Sequence, residues 1–282
     1  MTQQVSDRIS TTLPEAKKHC SHNLQAWYRP TLSPEHGIYV VLLVSFLTGA
    51  AAAQDWTLAT TLALVCAFCG FQAEHPLVLQ IKQRRSLKPR FLIWGSLYAI
   101  VSLAIALWLY LSFPVLLWIY GGAVAALIVD GISVFHREQK SIANELITFA
   151  AVCLSAPLAY AATTGTISPD TIGLWALNTL NFSSTIFTVK LRKPKISSVL
   201  PGMVYHAIAT LIVTTLYWFG WLPPVAALAF GVALLKFGFV ASNQQCYRTA
   251  KIEFVAMLET VTACSFLIII ALSVLPARLT TL

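Results

Sequence analysis

The sequence predicts an all-α fold, a polytopic helical membrane bundle of nine transmembrane helices with its N-terminus cytoplasmic and its C-terminus outside. Three observations predict it. Of 282 residues, 57% are apolar and only 11% charged, whereas a soluble domain carries roughly 25% charged and about 45–50% apolar residues. Apolar runs recur from Ile38 almost to the C-terminal end, and ~20 helical residues suffice to cross a hydrocarbon core of about 30 Å. The Lys and Arg residues fall on alternate connections between these runs, the pattern left when positive loops are retained in the cytoplasm. Such a composition excludes a soluble enzyme, a disulfide-stapled secreted domain and a disordered chain.

Read against their breakers, the runs are Ile38–Gln54, Trp56–Ile81, Phe91–Ser112, Pro114–Phe135, Ser141–Thr163, Thr171–Val189, Ser198–Phe219, Pro223–Ala241 and Lys251–Leu275. Connections as short as Asp55 and Phe113 make the adjoining helices antiparallel hairpins. Residues 1–36 form a cytoplasmic N-terminal arm and residues 37–282 the membrane domain. The arm holds Arg8, Lys17, Lys18 and Arg29 among polar residues, without the apolar core or cleavage site of a secretory leader. Lys82, Arg84, Arg85, Lys88 and Arg90 follow on the second-to-third connection, then Arg137 and Lys140. Lys190, Arg192, Lys193 and Lys195 lie after the sixth run, and Arg248 and Lys251 before the ninth. With nine crossings, 17 of the 19 basic residues share one side, leaving only Arg278 outside and Lys236 within the eighth run. The net charge of +8 therefore expresses topology, not nucleic-acid binding. Trp56, Trp108, Trp118, Trp175, Trp218 and Trp221 fall at the expected outer ends, where amphipathic rings anchor in the headgroup layer. The location expected is a plasma (inner) membrane or a thylakoid-type membrane.

Each run carries its own signals. The first opens on Pro34-Glu35-His36. The second holds Cys66 and Cys69, which read as small packing residues, and ends on Glu74-His75-Pro76, where a missing amide loosens the helix beside an acid and an imidazole. Gly121, Gly122 and Ala126 in the fourth permit close helix approach, and Asp130 closes it. The fifth begins near Glu145 and is expected to kink at Pro157. The sixth bears Asn178 and Asn181 on one face, as interhelical glue or as substrate contacts. His206 lies in the seventh, Lys236 in the eighth, and Glu253 and Glu259 in the ninth.

An ionisable group in a membrane helix costs about 2.5–3.5 kcal/mol on insertion scales, so it needs a partner or a wet cavity. All these groups fall in the cytoplasmic halves of their spans, which predicts a polar pocket open to the cytoplasm. Asp130, Lys236 and Glu253, taken singly, also read as side chains snorkelling to the interface. Glu74, Glu145, Glu259 and His206 are the candidate catalytic groups. His36, His75, Asn178, Asn181, Lys82, Arg84, Arg85 and Lys190 are the candidate substrate contacts. No two His or carboxylate ligands share a helix face at metal-binding spacing.

Several motifs together resemble the YwiC-like family of bacterial membrane proteins: Pro34-Glu35-His36-Gly37, Glu74-His75-Pro76 running into a basic loop, and Asn144-Glu145-Leu146. Leu177-Asn178-Thr179-Leu180-Asn181-Phe182, Val189-Lys190 and Tyr205-His206 extend the resemblance over nearly the whole chain. It implies a membrane location and fold more than an activity. Nine helices with polar inner ends also resemble the UbiA-type prenyltransferases, which hold Mg²⁺ and a prenyl diphosphate on acidic motifs at the inner ends of spans two and six. Here span two offers only Glu74 with His75, and span six offers no acid, so Mg²⁺ is implied by the topology but not by the motifs. The expected function is binding or modification of an isoprenoid or other amphipathic substrate, an anionic lipid included. The alternatives are a proton-coupled carrier, and a non-catalytic assembly factor that uses its basic loops.

Overall fold

The computed structural model describes residues 30–34, 36–82, 89–193 and 198–274, and its regular elements there are all α-helices. In chain order they are α1 (His36–Ala53), α2 (Leu58–Lys82), α3 (Pro89–Ser112), α4 (Leu116–His136), α5 (Ile142–Cys153), α6 (Ser155–Thr164), α7 (Pro169–Lys190), α8 (Leu200–Trp218), α9 (Pro224–Ala229), α10 (Gly231–Ser242), α11 (Gln244–Thr249) and α12 (Ile252–Val274). Among the described residues, eight stretches are long and apolar enough to cross a membrane: α1, α2, α3, α4, α5 with α6, α8, α9 with α10, and α12. The chain is an integral, multi-pass membrane protein.

The fifth expected span is interrupted where Pro157 disturbs it. Proline cannot donate to the carbonyl of Cys153, and its ring crowds the preceding turn. The helix tightens at Leu154, whose N–H bonds the Ala151 carbonyl at 3.1 Å, and restarts as α6. A similar tightened turn at Phe230 separates α9 from α10, with its N–H on the Ala227 carbonyl at 3.2 Å.

The sixth expected span, α7, is set apart by composition. At 22 residues it is about 33 Å long at 1.5 Å per residue, yet Asn178, Asn181, Ser183, Ser184, Thr185 and Thr188 keep it below the apolarity of the other eight. Its surroundings explain those residues. Twelve of its residues are buried, these polar ones (Thr185 aside) among them, and it packs against α1, α5, α6, α8 and α10. Polar side chains tolerated there would be costly against lipid, because hydrocarbon offers no hydrogen-bond partner. Ser168 starts the helix, its Oγ accepting the Thr171 N–H at 3.2 Å, with Pro169 pre-set for the first turn. By contrast, only Gly95 and Leu109 of α3 are buried. Polarity thus rises toward the centre of the bundle.

Two expectations about helix contacts are corrected. Gly121 meets nothing on its open side, because α4 runs at the periphery, whereas a Cβ on Gly122 would press on the Leu154 side chain at 3.2 Å, as expected of a small residue at a helix contact. The closest approaches fall elsewhere. A Cβ on Gly49 would overlap the Ala156 carbonyl, and one on Gly173 the Trp221 carbonyl. Trp175 is not an exposed anchor like Trp118 or Trp218: it is half-buried, and its indole N–H donates to the Ala150 carbonyl at 2.9 Å, tying α7 to α5 just before the break.

Candidate functional site

Three helices turn faces of mixed polar and apolar residues toward one cavity. On α2, Phe71, Glu74, His75, Val78, Leu79 and Lys82 recur at three- and four-residue intervals, so they share a face. Asn144, Glu145, Thr148 and Phe149 do the same on α5, and Thr185, Ile186, Val189 and Lys190 on α7. With Asp130 of α4 and Lys140 and Lys193 from the adjoining connections, they line a cavity of about 520 Å³. Four ammonium groups face three carboxylates, and apolar side chains make up much of the remaining wall.

The charges are ordered. Lys190 Nζ pairs with Glu145 Oε2 at 2.6 Å, joining α7 to α5. Asn144 Nδ2 donates to Asp130 Oδ1 at 2.8 Å and to the Gln139 carbonyl at 3.3 Å, which fixes α5 to the end of α4. Ser141 prepares this corner by capping α5: its Oγ accepts the Asn144 N–H at 3.2 Å. The rim is clipped by a closed ring of hydrogen bonds. Ser33 N–H donates to Gln72 Oε1 at 3.1 Å, Gln72 Nε2 donates to the Tyr39 hydroxyl at 2.6 Å, and that hydroxyl donates to the Ser33 carbonyl at 3.1 Å. Ser33 itself lines the cavity, so the segment ahead of α1 forms part of its wall.

A second polar cluster lies on another side of α7. Lys236 Nζ contacts Glu259 Oε2 at 2.8 Å and donates to Thr185 Oγ1 at 3.0 Å. Thr185 donates in turn to Glu259 Oε2 at 2.7 Å, and Thr188 reaches Glu259 Oε1 at 3.4 Å. The snorkelling expected of Lys236 is thereby corrected: its side chain is 5% exposed, because α10 faces α7 and α12 and an opposite charge waits there. Asp130 likewise is held by Asn144 beside the cavity. Glu253 remains exposed. Below this cluster, burial pushes the Tyr247 phenol in α11 up to about 12, with the Glu259 carboxylate adding to the rise, so that hydroxyl stays protonated.

The candidate residues therefore divide. Glu74, His75, Lys82, Glu145 and Lys190 line the cavity. Glu259 stands behind it and is linked to it through Thr185. His206 is 4% exposed and ties α8 to α7: Nε2 lies 2.9 Å from Ser184 Oγ, and Nδ1 lies 2.7 Å from the Gly202 carbonyl. A carbonyl can only accept, so Nδ1 carries a hydrogen. The ring stacks on Phe237 with centroids 4.2 Å apart. Asn178 is fully buried and donates to Thr48 Oγ1 at 2.9 Å and to the Leu174 carbonyl at 2.8 Å, binding α7 to α1. Asn181 is buried on the same helix. His36 is exposed at the start of α1. Arg84 and Arg85 lie outside the described residues. Sequence reasoning missed Asn144, Thr185 and Lys140 as cavity residues. The repeat of polar groups at positions 144, 145 and 148 was the available signal for the first.

Residues 32–160 match the family model described as YwiC-like protein. The matched segment runs from the clip ahead of α1 into α6, and so carries Glu74, His75, Asp130, Asn144 and Glu145 but not Lys190. No curated protein matches the chain. No solved structure matches it.

Proposed function

We propose that this protein, YwiC-like over residues 32–160 and integral to a membrane, binds an amphipathic molecule of the isoprenoid-phosphate or anionic-lipid kind in the cavity between α2 and α7. The observation that carries this reading is the joint presence of Lys82, Lys140, Lys190 and Lys193 with Phe71, Val78, Phe149 and Ile186 in one cavity of about 520 Å³. Ammonium groups suit a phosphate, and the apolar wall suits the first part of a tail. The cavity opens to the cytoplasm, where the basic connections gather. Glu74 and His75 stand as acid–base groups beside the bound headgroup, and Glu145 holds Lys190 until an anion competes for it. Glu259 and His206 act at one remove, by positioning Thr185 and Ser184 of α7. The reading includes a divergent UbiA-like protein, and the place of Glu74, His75 and Lys82 on α2 and of Lys190 on α7 along one cavity supports it. A Mg²⁺-held diphosphate would need an acidic cluster, and among the described residues no three His, Cys, Asp or Glu side chains are grouped closely enough to hold a metal ion; Asp130 is engaged by Asn144 and Glu145 by Lys190.

Mass spectrometry of lipid retained by the gently purified protein tests the reading. Lys190→Gln is expected to lower anionic-lipid retention roughly tenfold, about 1.4 kcal/mol. Glu145→Gln, which frees Lys190 from its competitor, is expected to raise it. Equal lipid content in all three proteins overturns the reading.

The nine-crossing topology belongs to the same proposal, with α7 as the crossing that hydropathy alone passes over. Its length and its place among spanning helices support this. Reporters fused after Gly165 and after Lys193 are expected on opposite faces of the membrane, the second in the cytoplasm. Finding both on one side would remove the crossing.

One observation favours a second reading, a proton-coupled carrier. Thr185 borders the cavity that the Lys190–Glu145 pair lines and also bonds Glu259 and Lys236, so one residue adjoins the surroundings of both ion pairs. Substrate-dependent proton flux in proteoliposomes would select this reading over the first.

A further inference from the structure

The inward side of α4 is uncovered for part of its length. Leu116, Ile119, Ala123, Leu127, Asp130 and Val134 follow at three- and four-residue intervals, so they lie along one side of the helix. Leu116 and Ile119 are buried in an apolar cluster with Ala59 and Ala63 of α2. Asp130 lines the cavity and is held by Asn144 of α5, and Val134 is buried again. This side therefore faces the bundle at both ends. Between them Ala123 is exposed and Leu127 is 44% exposed. The neighbouring α2 has no such interval: Ala67 still packs against the apolar cluster, and Phe71, one turn on, already lines the cavity. On α4 the rise from Tyr120, which also packs against the cluster, to Asp130 is about 15 Å at 1.5 Å per residue. At Asp130 the cavity thus continues into an apolar strip that the neighbouring helices leave bare.

An amphiphile whose phosphate sits among the lysines has a hydrocarbon tail to place. A cavity open to the cytoplasm alone would draw that tail through water, a loss of roughly fourfold in equilibrium constant for every methylene. An opening along the side of the bundle leaves the tail in hydrocarbon. We propose that the cavity opens sideways past α4, and that the strip carrying Ala123 and Leu127 seats the tail of a membrane-resident phosphate lipid. The inference rests on the anionic-amphiphile reading above and adds the place of the tail and the source of the phosphate, a lipid of the bilayer. Ala123 offers only a methyl group, so a chain can lie close to the helix there, and Leu127 gives it apolar contact. The Asp130 carboxylate, where strip and cavity join, repels a phosphate and so keeps the headgroup among the lysines while the tail runs past.

The test is photolabelling of the full chain in phosphatidylcholine nanodiscs by a trace of phosphatidic acid with a diazirine midway along one acyl chain, followed by mapping of the labelled residues. Ile132 is 55% exposed and is rotated from Leu127 by about 140° at 3.6 residues per turn, so it reports lipid that merely surrounds the bundle. Labelling of Ala123 and Leu127 is expected to fall roughly tenfold when unlabelled phosphatidic acid is added as a small fraction of the lipid, and again in Lys190→Gln. Labelling of Ile132 is expected to change in neither case. Glycerol phosphate is expected to leave the strip labelled; displacement by it as effective as by the lipid would show that the tail contributes nothing, and would overturn the inference. Strip labelling that resists competition as Ile132 does, with competable labelling confined to other helices, also overturns it and leaves the anionic-amphiphile reading standing. Absence of competable labelling anywhere overturns both. The wild-type competition decides on its own, so a variant that fails to fold does not obscure the result.

Discussion

Lys236→Met is expected to destabilise the bundle by about 3–5 kcal/mol, the cost of leaving one member of a buried ion pair without its partner. Lys236 is nearly enclosed and Glu259 about three-quarters enclosed, so water can replace little of what is lost. The methionine matches the lysine stem in volume, so the loss is one of charge compensation and not of contact. Glu259 would keep its bonds to Thr185 and Thr188, but neither hydroxyl neutralises it. Glu259→Leu should cost a similar amount by stranding the ammonium. The double variant is expected to recover most of the loss, because two apolar side chains in the place of a buried pair are often neutral or better. Thermal unfolding of the purified single and double variants measures this. Additive losses in the double variant would show that the two groups do not stabilise each other.

Gly49→Val should be nearly as damaging. The new side chain would collide with the Ala156 carbonyl, a backbone atom that cannot rotate away, at the contact between α1 and α6. Replacing a helical glycine by valine gains only about 0.3 kcal/mol in propensity, while overpacking costs typically 1–3 kcal/mol and more where backbone must shift. The clash wins, and a net loss of about 3 kcal/mol is expected. The hydrogen bond from Ser155 Oγ to the Leu42 carbonyl at 3.1 Å crosses the same contact and would be strained with it. Gly121→Val is the control, since nothing lies within reach of its added carbon. Equal melting temperatures for the two variants would refute the assignment of α1 against α6.

What the sequence determined unaided is the environment and the inventory. The scarcity of charge and the length of the apolar runs leave no alternative to helices in lipid, since only closed hydrogen bonding survives there. The break at Pro157 was legible because proline's missing N–H is a local property. Local patterns of this kind also bring Glu74, His75 and Lys82 onto one face of α2. What only the tertiary structure decided is which groups meet. Lys190 with Glu145, Lys236 with Glu259 and Asn144 with Asp130 each join different helices, and no local spacing records the rotation of one helix against another. Rotation likewise decided that Gly49, not Gly121, marks a close contact, and that Lys236 turns inward although its place in the sequence suited a side chain reaching for water. The polarity of α7 was visible in its composition. Its meaning came from the five helices around it, which take the place of lipid and make serine, threonine and asparagine affordable where leucine would otherwise be required.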